Sequence, residues 1–115
     1  QASSSAASDV YKRQIENLST ILIKLYSKNQ NIIRWSLRNI WRDKNLRKNM
    51  FSWNKILRSY VYSILPEILE KKKPEREIIF ECTSFIFFLR LKIVQSLSED
   101  QIKEIFVLNT KKYLS

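Results

Sequence analysis

The sequence predicts an all-α fold, an antiparallel helical bundle of about five helices, and three observations predict it. Glycine is absent from all 115 residues, and tight hairpins and left-handed turns usually require it, which disfavours a strand-rich sandwich or barrel. Prolines number only two, Pro66 and Pro74, leaving long stretches without a helix breaker. Apolar residues recur at three- and four-residue intervals along most of the chain, the period of one helix face. Hydrophobic residues make up 44% and charged residues 28%, a globular composition sized for a single core.

The first fourteen residues are expected to lie outside this fold. Gln1–Ser8 reads QASSSAAS, a low-complexity stretch with nothing to bury and no apolar run of a secretory signal. Asp9-Val10-Tyr11-Lys12-Arg13-Gln14 is the translation of GAT GTG TAT AAG AGA CAG, the end sequence used in transposase-based library preparation. The segment 1–14 is therefore read as a disordered, adapter-derived scar, with a natural disordered N-terminus as the alternative. On the first reading the gene product begins near Ile15 and has lost an upstream portion, and 15–115 is the helical domain.

Within that domain, Leu18, Ile21, Leu22 and Leu25 mark a first helix over 15–27. Lys28–Asn31 is expected to interrupt it, with Asn as the next N-cap. Ile33, Leu37, Ile40 and Trp41 then stripe a short second helix. Asp43 is placed to cap a third, whose Leu46, Met50, Trp53, Leu57, Tyr60 and Ile64 form a heptad-like seam. Pro66 ends it. Pro74, Glu75 and Glu77 suit the first turn of a fourth helix reaching about Leu97. Ser98-Glu99-Asp100-Gln101 is a capping box that opens a fifth.

Read as one rod, the fourth helix has two apolar stripes. Ile78, Ile79, Cys82, Ile86, Leu89, Ile93 and Leu97 share a core-facing side about 100° wide. Phe80, Phe87, Leu91 and Val94 fall roughly opposite. A surface helix of a monomer needs one stripe, so the second implies either complete burial within one domain or an apolar contact with another subunit, and the subunit contact is the expectation. The fifth helix is placed to join that contact, the last two helices making a four-helix bundle in a homodimer.

Charge is uneven. Lys24–Arg58 holds ten basic residues and one acid within a net charge of +10. Arg34, Arg38 and Arg42 recur every four residues beside Trp35, a basic face of the kind that contacts phosphate. A solvated face in a Lys- and Asn-rich composition is the plainer alternative.

Several function classes drop out. Without Gly there is no P-loop or dinucleotide fingerprint, and without His no His-based triad. The lone Cys82 makes neither an internal disulfide nor a CxxC site, which favours a reducing, cytoplasmic setting. Scattered carboxylates have no metal-ligand spacing. No catalytic residue, cofactor or metal is therefore expected. Nor is a membrane span, since the uninterrupted apolar run Phe85–Leu89 falls far short of the ~18 residues needed.

The stretch from Asn31 to Leu65 resembles the ligand-binding domain of TetR/AcrR-family transcriptional regulators. In that family a Trp-containing turn is followed by D-x-x-L-R and a long amphipathic helix, and here Trp41, Asp43, Leu46 and Arg47 stand in that pattern. Glu75 to Leu114 is similar to the family's last two helices, with Leu97, Ser98 and Ile102 at their junction. Where many members carry Gly in the penultimate helix, this chain has Cys82-Thr83-Ser84.

The resemblance implies a dimeric sensor that binds a small, largely apolar effector between its first four helices, with Trp35, Trp53 and Phe85 as candidate pocket walls. It also implies that DNA is reached only through a helix-turn-helix that this sequence lacks. A basic helical nucleic-acid-binding module and a purely structural bundle are the alternatives.

Overall fold

In this computed structural model, which describes the backbone of residues 2–114 and the side chains from Tyr11 onward, the fold is all-α. Helix α1 (Ala2–Asn39) is followed by α2 (Lys44–Ile64), a 3₁₀ turn (Pro66–Glu70), α3 (Lys73–Glu81), α4 (Phe85–Leu89) and α5 (Glu99–Leu114). A π-helical turn, Arg90–Val94, continues α4 directly. No β-strand occurs among the described residues.

Helix α1 is one rod where two were expected. Lys28–Asn31 does not break it, because polar residues cost a helix only a few tenths of a kcal/mol each and neither Pro nor Gly stops it. Instead of capping a new helix, Asn29 donates its Nδ2–H to the Leu25 carbonyl at 2.9 Å. Ser36 and Asn39 bond back one turn in the same way, to Ile32 and Trp35. At about 1.5 Å per residue, its 38 residues run the whole 54 Å length of the molecule. Of the segment 1–14, Gln1 and the side chains up to Val10 lie outside the described residues. The backbone is helical from Ala2, and Tyr11 packs partly buried against the core.

A four-residue turn reverses the chain into α2. Asp43 caps α2 as its spacing predicted, its Oδ1 accepting from the Asn45 and Leu46 amides at 2.9 and 3.1 Å. Arg47 reaches back to donate to the Ile40 and Trp41 carbonyls at 3.0 and 3.1 Å. Those are orphan acceptors beside the end of α1, so Asp43 and Arg47 together satisfy both sides of the turn. The capping box at Ser98 also forms: its amide donates to Gln101 Oε1, and the Gln101 amide donates to Ser98 Oγ.

Helix α5 returns antiparallel along the N-terminal half of α1, with Ser27 hydrogen-bonded to Glu99 at one end. The core sits in this base. Ile15, Leu18, Leu22 and Tyr26 of α1 meet Ile102, Phe106 and Leu114 of α5, with Val61, Leu65, Ile68, Ile79, Phe85 and Phe88 closing the sides. Tyr26, Phe85 and Phe88 form a mutual aromatic cluster with ring centroids 5.5–6.0 Å apart.

The helix expected over Pro74–Leu97 is broken at Cys82-Thr83-Ser84. Thr83 and Ser84 donate their amides three residues back, to Phe80 and Glu81, which tightens the turn. The Thr83 hydroxyl also takes the Phe80 carbonyl at 2.7 Å, and Ser84 Oγ accepts from the Phe87 amide to cap α4. Such short side chains offer the backbone a local alternative to the helix.

The break resets the helical phase after Ser84, and the two stripes come out mixed: Ile79 stays in the core and Leu89 and Leu97 pack against it, as expected, while other members change sides. Phe80 and Leu91 are buried within their own chain, and Phe87 is half-buried and stacked on Phe106 at 5.9 Å. Of the four residues expected to face a second subunit, only Val94 is exposed. Conversely Ile78, Ile86 and Ile93, assigned to the core side, are 40, 57 and 55% exposed.

Candidate ligand groove on the helical hairpin

The far half of α1 and the first half of α2 project from the base as a two-helix hairpin. Its seam is apolar for the reason the sequence gives: Ile33 and Leu37 on one helix face Met50, Trp53 and Leu57 on the other at helical spacing. Two helices alone cannot close around such a seam. From Ser27 to Tyr60 no residue is fully buried.

The seam therefore has two open sides. On the side turned toward the base lies a groove of about 270 Å³, walled by α1, α2 and the start of α4. Trp53 and Phe85, both predicted pocket walls, line it together with Tyr26, Ile33, Leu57 and Ile86. Phe85 is buried and forms the floor, whereas Trp53 is half exposed at the edge. Trp35, the third predicted wall, is half exposed and lies outside this lining. The spacing of the α2 seam pointed to Trp53. Tyr26 had no such signal, because it reaches the groove only through the continuity of α1.

The lining is mostly apolar, with Arg47 and Asn54 as its polar members. Arg47 is already held by two carbonyls of the turn, which fixes a positive charge at the tip end. At the opposite end the Tyr26 hydroxyl is engaged with the Thr83 carbonyl at 2.7 Å. Burial pushes the Tyr26 phenol well above its ordinary value, so it stays neutral. The volume falls just below the ~300–1,000 Å³ range of ligand sites, which limits the groove to a small molecule.

No protein-family model matches the chain, and neither a curated protein nor a solved structure does.

Arg34, Arg38 and Arg42, the expected basic face, are all exposed on α1 and the turn that follows it. Among the described residues none of the three forms an ion pair. Cys82 sits half-buried in the break between α3 and α4, and burial, followed by the nearby Glu81, raises its thiol above the ordinary range. Among the described residues, no cluster of three or more Cys, Asp or Glu is placed to hold a metal ion, and no helix is long and apolar enough to cross a membrane.

Proposed function

We propose that this chain is an effector-binding domain of the TetR-like type, taking a small, largely apolar molecule into the groove between α1, α2 and α4. One observation carries the reading: Trp53 and Phe85, from different helices, converge on a single apolar groove with one fixed cation, Arg47, at its tip end. The D-x-x-L-R resemblance agrees with it, since Asp43 and Arg47 hold the turn that sets the spacing of the two helices. A ligand between those helices would favour one hairpin spacing over another, a population shift rather than chemistry. The shape and charge of the groove suit a short chain with an anionic head at Arg47.

Decanoate, with decanol as its uncharged counterpart, tests this in a Trp35→Phe/Trp41→Phe background where Trp53 is the only indole. The expected result is a saturable change in Trp53 fluorescence, tighter for decanoate than for decanol, and a rise in Tm with ligand concentration. A linear, non-saturating response to both would overturn the reading.

A second reading rests on the unpaired exposure of Arg34, Arg38 and Arg42: a surface that contacts nucleic-acid phosphates. Three such contacts give a slope of about −2.7 for log affinity against log salt on duplex DNA. Arg34→Gln/Arg38→Gln/Arg42→Gln would flatten it. Absence of binding at low salt would dismiss this reading.

A further inference from the structure

The other open side of the hairpin seam holds a larger groove of about 540 Å³, lined by Leu25, Asn29, Ile32, Ile33, Ser36, Leu46, Asn49, Met50 and Trp53. We propose that this groove is a self-association surface, occupied by the same face of a second copy, so that two hairpins close into a four-helix bundle.

The groove is neutral within a strongly basic hairpin. The segment from Lys24 to Arg58 carries ten bases and one acid, yet none of the nine lining residues is charged. At 3.6 residues per turn, Arg34 and Arg38 fall on the far side of α1 from Asn29 and Ser36, and Lys48 and Lys55 on the far side of α2 from Trp53. An acidic peptide or a nucleic acid would find no cation in this groove. A second copy meets a neutral lining; Lys28, three residues after Leu25 and four before Ile32, is the base nearest to it, and physiological salt screens the like charge of the two copies.

The same side of the hairpin leaves large apolar side chains in water. Ile32 and Trp53 line the groove, and Ile21 on α1 and Ile56 and Tyr60 on α2 follow from the lining residues Leu25 and Trp53 at three- and four-residue steps along the same helix faces; all five are between 39 and 60% exposed. Together they leave roughly 500 Å² of apolar surface in water, near the top of what a monomer usually tolerates in one patch. Doubled across a two-fold axis, and with the half-buried Leu25, Leu46 and Met50 added, this reaches the ~1,000 Å² that a specific interface needs. A two-fold contact is self-complementary by construction, and paired helical hairpins with short loops are a standard route to a four-helix bundle. Asn29 and Ser36, within the groove, each donate to a carbonyl of their own helix.

This contact differs from the one expected of the last helices, and it uses the opposite side of the seam from the ligand groove. Sedimentation of the full chain across the micromolar range, at physiological salt, tests it with Ile32→Glu, Ile56→Glu and Val94→Glu. All three positions are exposed, so the variants keep the helical circular dichroism of the parent. The expected result is a species of twice the 13.9 kDa chain mass, with dissociation constants raised at least tenfold in I32E and I56E and unchanged in V94E. A parent that stays monomeric throughout overturns the proposal. So does a dimer that V94E breaks while I32E and I56E do not, which would place the contact on the π turn. Ile33, Met50 and Trp53 line both grooves, so the decanoate titration is run below the dimer's dissociation constant and repeated in I32E, whose position lies outside the ligand groove, to keep the two outcomes apart.

Discussion

The hydroxyl of Tyr26 donates to the backbone carbonyl of Thr83 at 2.7 Å, across 57 residues of sequence. This bond ties the middle of α1 to the break between α3 and α4, and it satisfies a buried carbonyl that the tightened turn leaves free. Replacing Tyr26 by Phe keeps the ring and its contacts with Phe85 and Phe88 but strands that carbonyl. The expected cost is about 1–3 kcal/mol, read as a lowered urea midpoint with an unchanged m-value.

The same phenol sets an alkaline limit. Its folded-state pKa is raised by burial, so its contribution to stability is intact below the unfolded value of about 10 and declines as pH rises beyond it. Stability of the parent should fall above that pH more steeply than that of Tyr26→Phe. Parallel urea titrations at neutral and alkaline pH compare the two slopes, and identical slopes would show that Tyr26 is not buried in solution.

Arg58 joins α2 to α3. Its two terminal nitrogens donate to the two Glu77 oxygens at 2.9 and 3.1 Å, and its guanidinium lies 4.3 Å from the Phe80 ring centroid. The hydrogen bond from Arg58 is the main cause that holds the Glu77 carboxyl below its ordinary value. The pair's contribution is therefore present above about pH 4.3 and lost as pH falls through the lowered folded-state value. Both side chains are substantially exposed, which limits the effect to about 0.5–1 kcal/mol. Glu77→Gln should lose that much at neutral pH, and the difference from the parent should vanish in strong acid. A double-mutant cycle with Arg58→Met measures the coupling.

Ser96 stands in the left-handed region at φ 54°. It closes the π turn, where the Gln95 amide donates to Arg90 and the Leu97 amide reaches back to Leu91 at 3.1 Å. A side chain bearing Cβ costs about 1–2 kcal/mol in that conformation. Ser96→Gly should raise the Tm, and a lowered Tm would mean that the left-handed turn is not populated.

What the sequence disclosed and what it withheld follow the range of the interactions. Asp43, Pro66, Pro74 and the Ser98–Gln101 box act over a few residues, and each ends or begins a helix where its chemistry says it should. The break at Cys82-Thr83-Ser84 is different, because its local bonds are supported from α1 by Tyr26. Without that long-range partner, Ile78 to Leu97 reads as one helix, and its phase puts Ile86, Leu91 and Ile93 on the wrong sides. The candidate groove was legible to the same extent. Trp53 lies on a seam visible in the spacing of α2, whereas Tyr26 joins it only once α1 is known to be unbroken.

The unbroken α1 has a mechanical consequence. It is a strut rooted in the packed base and ending at the crown of the hairpin. Any molecule that wedges the crown apart bends or tilts this strut, and the tilt arrives at the root, where Tyr26 grips the neighbouring turn. Leverage of this sort needs no relay of intermediate contacts; it needs only that the beam be stiff, and a helix without proline or glycine is.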